Sequence, residues 1–242
     1  MKKKSYEILF EDDEIIVVNK APGIYTIEPR HKTDDTILYN EIKKSLDELY
    51  IVHRLDKDTS GIIIFAKTAK SHKILSEQFQ DNKIEKTYYA FVDGNLDLDN
   101  GVYLIDIPIL VTPGRYQVQI SDRGKPSQTK IRIVESYRNY TLIEAKLITG
   151  RTHQIRAHMQ YLGYPLIVDK LYGHKKELYL SEIKRKYKHK GETPERPLIK
   201  RQTLHSRTLA FYHPTTNEKM HFEAPLPKDL KALKNQLRKN SK

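Results

Sequence analysis

A chain of 242 residues can bury a sizeable core, and because it contains no cysteine it excludes disulfides, thiolate catalysis and cysteine-ligated zinc. Its 43 Lys or Arg against 31 Asp or Glu leave a formal net charge of +12, a field that attracts polyanions, with nucleic acid the leading class. No apolar run reaches about 18 residues, so no membrane span or membrane partner is expected; the basic amino terminus MKKKSYEILFEDDE meets acid before any stretch of signal-peptide length, which predicts a cytoplasmic protein.

Along the chain, YEILFEDDEIIVVNK reads as strand, acidic turn, strand, with IIVV as a buried run. KAPGIYT, residues 20 to 26, breaks that pattern at Pro22 and Gly23. DDTILYNEIKKSLDEL has helical spacing, with Ile37, Leu38, Ile42 and Leu46 on one side and Asp34 or Asp35 as the cap. GIIIFAK is a strand, SHKILSEQFQD a short helix, and KTYYAFVDG an alternating strand that stops at Gly94. From 101 to 147 the pattern stays β, as VYLIDIPIL, YQVQIS, TKIRIVES and YTLIEAKLI are separated by TPG, DRGK and RNY. The period then changes. After Thr149 and Gly150, a helix in TGRTHQIRAHMQYLG gathers Ile155, His158, Met159 and Leu162, and Gly163 closes it. TLHSRTLAFYHP and EKMHFEAPLP form a terminal hairpin, and PKDLKALKNQLRKN a charged helix. With no internal repeat and no linker composition, the reading is one α+β domain over 1–242.

Charge is unevenly spread. Residues 175 to 201 carry ten Lys or Arg against four Glu, half of the chain's excess. A solvated insertion without a ligand and a membrane-surface patch both compete with a polyanion site here. No basic amphipathic helix with bulky apolar anchors supports the membrane.

The segment HRLDKDTSGIIIFAK, residues 53 to 67, raises the question of chemistry. Asp56, Asp58, Ser60 and Gly61 fit the opening of a calcium loop, but the twelfth position is Lys67 in place of a bidentate glutamate, and a strand follows. Asp58 to Gly61 read as turn formers leading into a buried strand. Arg54 and Asp56 are left over. His153 and His158, five apart on the expected helix, are off a common face and are no zinc pair.

Three separated segments share charged or phenolic residues at strand ends and helix starts: HRLD at 53 to 56, KTYYAFVDG at 86 to 94, and TGRTHQIRAHM at 149 to 159. Together they resemble the RluA-type pseudouridine synthases, which isomerise uridine in ribosomal or transfer RNA. H-R-L-D-x-x-T-S-G before an apolar strand and Ala-Lys stands complete here. K-x-P-G matches Lys20 to Gly23, K-x-Y-x-A-x-V-x-G matches Lys86 to Gly94, G-R-T-H-Q-I-R-x-H matches Gly150 to His158, and a late L-H-S matches Leu204 to Ser206.

The resemblance implies a pseudouridine synthase fold: α+β, with a mixed, largely antiparallel central sheet and flanking helices and loops. It implies RNA as partner, no cofactor and no metal, since the isomerisation involves no redox change. Asp56 is implied as the essential carboxylate, acting as nucleophile or as proton acceptor. Arg156 is implied as its ion-pair partner and Tyr88 as the active-site tyrosine. Arg54 is implied to fill the RNA stack when the target base flips out, with His53 bracing the loop and, secondarily, touching RNA. Lys86, Arg151 and His153 are further RNA-side residues, and Leu204 a lining of the uracil pocket. Tyr89 faces the other way along the strand and is expected to pack. Many relatives carry a separate RNA-binding domain ahead of the catalytic one; here the first strand begins almost at once. Recognition is therefore expected to use the 175–201 insertion and the basic helix at 227–242, in a monomer. A binding-only RNA chaperone and a base-releasing hydrolase are the competing readings.

Overall fold

β-branched runs decide where the strands lie. In a computed structural model, which describes residues 5–29, 32–98, 101–185, 187 and 193–241, the runs IIVV and GIIIFA both become strands buried on both faces. In chain order the elements are β1 (Tyr6–Glu11), β2 (Ile15–Lys20), α1 (Leu38–Lys43), β3 (Tyr50–Ile51), β4 (Ser60–Ala66), α2 (Ala69–Gln80) and β5 (Glu85–Asp93). There follow β6 (Val102–Asp106), β7 (Ile109–Leu110), β8 (Gln119–Ile120), β9 (Gln128–Ser136), β10 (Tyr140–Leu147) and α3 (Gln154–Tyr161). The chain ends with α4 (Leu180–Ile183), β11 (Leu204–Tyr212), β12 (Lys219–Glu223) and α5 (Lys228–Lys239). The class is α+β and the sheet pairing is mixed but largely antiparallel.

The chain divides into two compact units, the first made of residues 1–88 and 205–225 and the second of 89–204 and 226–242. In the first, strands run in the order β1-β2-β4-β11, with β3 on β4 and β12 on β11. β2 and β4 are antiparallel from Ile15–Ala66 to Lys20–Gly61, whereas β4 and β11 are parallel, pairing Ser60 with His205 and Gly61 with Ser206. Ile15, Val17, Ile62, Ile64, Leu75, Leu209 and Phe211 form its core, which α2 covers. Thr68 caps α2 by accepting the Ser71 N–H through its side chain.

In the second unit, the rest of β5 begins the order β5-β10-β9-β6. Its main core gathers Phe91, Leu142, Ile167 and Val168 with Leu230, Leu233 and Leu237 of α5. Those leucines occupy one face of the charged helix, as the 3.6 period requires. Arg238 and Lys234 on the same helix both reach Glu135 of β9.

Several expectations are corrected. The first helix is six residues, not sixteen: Ile37, expected inside it, bridges to Tyr25 instead and is its N-cap residue, with no side-chain cap from Asp34 or Asp35. Asp35 bonds Thr33 and Lys57. VYLIDIPIL breaks in two around Ile107 and Pro108, because proline has no N–H for a ladder. YQVQIS keeps only Gln119–Ile120 as strand. His153 is not on the helix: it precedes Gln154 with a left-handed backbone, φ 52°.

Candidate active site

The loop between β3 and β4 holds His53 to Thr59. The turn begins two residues earlier than the sequence reading placed it: the Thr59 N–H donates to the Asp56 carbonyl at 3.1 Å, so Asp56 opens the turn, and Ser60 and Gly61 already belong to β4. Asp is a favoured first residue of such a turn. The preceding KAPGIYT segment clamps the loop. Lys20 is fully buried, and its Nζ donates to three carbonyls, Ala21 at 3.1 Å, Ile24 at 2.8 Å and Lys57 at 3.0 Å. The N–H groups of Gly23 and Ile24 also donate to the Lys57 carbonyl. On the other side of Asp56, Thr26 bonds Leu55 twice, donating its hydroxyl to the carbonyl at 2.8 Å and accepting the N–H at 3.2 Å. Backbone on both flanks of Asp56 is therefore fixed while the Asp56 side chain stays partly exposed. The use of the lysine in K-x-P-G as an internal crosslink was not evident from the sequence, where Lys20 enters only as part of that match.

β11 flanks β4 in the sheet. Gly61 has φ 113°, and a Cβ there would lie 2.1 Å from the Ser206 carbonyl oxygen. The Ser60 hydroxyl is 3.0 Å from His205 Nδ1, and His205 Nε2 is 3.2 Å from the Ala224 carbonyl oxygen, so the ring donates through Nε2 and accepts through Nδ1. Ser206 donates its hydroxyl to the Ile62 carbonyl.

Tyr88, from β5, is buried in the same unit. Burial pushes its hydroxyl up to about 12; a side-chain hydrogen bond with Ser206 opposes the rise, and the negative charge of Asp56 adds to it. Asp56, Tyr88 and Ser206 are thus brought to one place. Lys86, two residues before Tyr88, is also buried, which lowers its ammonium to about 8, and it lies over the Phe79 ring at 4.9 Å. His53 sits against Phe79 with ring centroids 4.8 Å apart and accepts the Ile64 N–H through Nε2 at 3.2 Å. Burial, then the Lys86 charge, lowers its imidazole to about 3, so it is neutral. Arg54 is exposed.

The second unit holds the GRTHQIR segment. Gln154 uses its whole amide: Oε1 accepts from the Thr149 hydroxyl and the Arg151 N–H, and Nε2 donates to the Gln128 carbonyl and the Thr129 hydroxyl. Arg151 is exposed, with Nε on the Pro126 carbonyl. His158 is buried between the Thr129 hydroxyl and the Ile107 carbonyl, and burial lowers its pKa. His153 Nδ1 lies 3.0 Å from the Tyr172 hydroxyl. Arg156, 5% exposed, forms a two-pronged ion pair with Asp169, Nε to Oδ2 at 2.6 Å and Nη2 to Oδ1 at 2.8 Å. Asp169 escaped the sequence reading because it is a single acid after the short apolar run LIV and before Lys170, which reads as an ordinary surface charge pair. Leu204 is buried, and its carbonyl accepts from Arg201. Among the described residues no group of three or more His, Asp or Glu is placed to hold a metal.

The basic insertion splits into two kinds of cation. Arg201 is buried and forks onto Asp229 at 2.7 and 3.0 Å, and Lys175 pairs with Glu182 at 2.6 Å. Lys176, Lys184, Arg185, Arg196 and Lys200 are exposed. Lys186, Lys188 and Lys190 lie outside the described residues.

The sequence profile described as RNA pseudouridylate synthase matches residues 14–161. The chain is 36% identical to an uncharacterized RNA pseudouridine synthase, YlyB, of Bacillus subtilis, over 97% of this chain and 73% of that protein. It is 37% identical to ribosomal large subunit pseudouridine synthase C of Haemophilus ducreyi, over 96% and 69%. Among solved structures, human RNA pseudouridylate synthase domain containing 4 superposes with a TM-score of 0.70 at 22% identity, covering 96% of this chain and 92% of that one.

Proposed function

Because this chain belongs to the RNA pseudouridylate synthase family, and so to the isomerases, we propose that it converts a specific uridine of ribosomal RNA to pseudouridine, with the Asp56 carboxylate driving the rearrangement. The relatives named for the large ribosomal subunit favour ribosomal over transfer RNA as the substrate. The observation that supports the site assignment is that the backbone is pinned on both flanks of Asp56 while its side chain stays partly exposed, with the buried Tyr88 near enough for the Asp56 charge to add to the rise that burial causes.

The reaction breaks the bond from carbon 1′ of the ribose to uracil N1, turns the base, and joins carbon 1′ to carbon 5. The proton on carbon 5 leaves, and N1 gains one, so atoms and electrons balance without an oxidant. Asp56 acts either as the nucleophile toward sugar or base or as the acceptor of a proton while the glycosidic bond breaks; both uses need the ionised carboxylate. A stacked base is out of reach, so the uridine is flipped out, and exposed Arg54 fills the gap it leaves. Tyr88 packs its ring on the uracil. With its hydroxyl raised to about 12, it stays protonated at neutral pH and serves as a hydrogen-bonding relay for the carbon-5 proton. His53 braces the loop through Ile64. Arg156 is assigned to the reaction on the sequence resemblance, which implies a cation as the partner of the reacting carboxylate. Arg151 and His153 contact RNA and Leu204 lines the uracil pocket, whereas Lys86, expected on the RNA side, is buried against Phe79 and packs there instead. The protein acts as a monomer.

The test uses a large-subunit rRNA transcript and scores carbodiimide-resistant pseudouridine. Wild type forms it, and Asp56→Ala does not, while RNA affinity changes by less than about threefold, since Asp56 contributes no attraction for phosphate. Equal product from both proteins removes Asp56 from the mechanism.

A further inference from the structure

The family chemistry leaves unassigned the more deeply buried acid of the chain. Asp169 is 1% exposed and lies in the second unit between α3 and α4. Its Oδ2 accepts from Arg156 Nε, and its Oδ1 accepts from Arg156 Nη2 and from the N–H groups of Leu171 at 2.9 Å and Tyr172 at 3.1 Å. Its backbone is equally committed. Its N–H donates to the Lys175 carbonyl, and its carbonyl accepts the Gly173 N–H, where an added Cβ would stand 2.9 Å from that oxygen. The carboxylate therefore cannot turn without breaking several bonds at once.

The guanidinium it holds is restrained on a second side. The Tyr172 ring lies 4.9 Å from Arg156 Cζ. That ring is itself fixed, because its hydroxyl accepts the Val118 N–H at 2.8 Å and lies within hydrogen-bond distance of His153 Nδ1, at 3.0 Å. Val118 and Tyr172 also share a small apolar cluster with Ile109 and Ala157. An arginine side chain has many rotamers, and here the Nε–Nη2 edge is gripped by an acid and one face by a ring. Stability is a weak reason for such a pair, since a buried ion pair gains little over apolar packing of the same volume. Holding a planar donor in one orientation is what a two-pronged pair does well.

We infer that Asp169 is a positioning residue for the isomerisation: it clamps Arg156 by the Nε–Nη2 edge so that the direction of the Nη1 edge is set by the protein. The inference rests on the reading in which Arg156 takes part in the reaction. Asp169→Asn is the informative substitution. Its oxygen must still accept the Leu171 and Tyr172 N–H groups, which leaves the amide N–H facing Arg156 Nε–H, donor against donor.

The experiment measures single-turnover tritium release from a large-subunit rRNA transcript carrying tritium at uracil carbon 5, with enzyme in excess. Alongside it run RNA affinity by filter binding and the folded fraction by circular dichroism. Asp169→Asn is expected to lower the saturated rate by roughly 30-fold or more with RNA affinity within about threefold. In an Arg156→Ala background, where no guanidinium is left to orient, adding Asp169→Asn is expected to change the rate by less than about twofold. This double variant removes both buried charges together, so it tests the inference even where Asp169→Asn alone unfolds. A wild-type rate in folded Asp169→Asn overturns the inference. So does a further fall of about tenfold or more when Asp169→Asn is added to Arg156→Ala at equal folded fraction. Asp56→Ala runs in parallel: full activity there removes the Asp56 reading, whereas inactive Asp56→Ala beside fully active Asp169→Asn removes the Asp169 clamp alone.

Discussion

Accepting the Ile64 N–H through Nε2 requires an imidazole nitrogen without a proton, and burial beside the Lys86 ammonium enforces that state by lowering His53 to about 3. The folded pKa is below the ordinary 6.5, so the folded chain refuses a proton that the unfolded chain accepts. The stabilisation is complete above the unfolded value and is lost as pH falls from there toward 3. His53→Gln keeps a side-chain acceptor and does not titrate. Between about pH 7 and about pH 4.5, wild type is expected to lose on the order of 2 kcal/mol more unfolding free energy than this variant, measured by urea titration. Lys86 works in another window: its folded value of about 8 is below the ordinary 10.5, so its burial costs stability below about 8, and that cost fades as pH rises toward 10.5.

Strands and helices show where sequence reading succeeds and where it stops. β4 was plain in GIIIFA because every one of its side chains is buried and β-branched or apolar residues fill it. α3 and α5 were plain from their 3.6 period. α4 was invisible, since four residues are too few for any period to register. α1 was overextended because apolar residues at helical spacing continue past Lys43, although tertiary pairing at Ile37 and a turn after Lys44 cut it short. The same limit applies to the site. Asp56 and Tyr88 stand in runs of recognisable spacing, while Lys20 and Asp169 gain their roles only from carbonyls and a guanidinium brought in by folding. Gly61 makes the strand contact testable. With φ 113° and Ser206 backbone filling the space of a Cβ, Gly61→Ala drives β4 and β11 apart. Its expected cost is about 4 kcal/mol or more, read as a lost or sharply lowered thermal transition.

For the molecule as a whole, net charge of +12 predicts RNA affinity that weakens with salt, but only cations not already committed to the fold contribute. Replacing exposed Lys176, Lys184, Arg185, Arg196 and Lys200 by Gln is expected to flatten the slope of log affinity against log salt by up to about 4. Arg201→Gln leaves the slope within about 1 of wild type and lowers stability, because its fork stays on Asp229. An unchanged slope in the fivefold variant would place RNA contact elsewhere on the surface. The parallel seam of β4 and β11 bears on how the protein is made: Ser60 meets a histidine 145 positions downstream, and Ser206 follows it. A ribosome releases the entire second-unit segment from 89 to 204 before the strand that completes the surroundings of Tyr88 leaves the exit tunnel. A chain that terminates ahead of that strand therefore lacks both the parallel partner of β4 and the serine that bonds Tyr88.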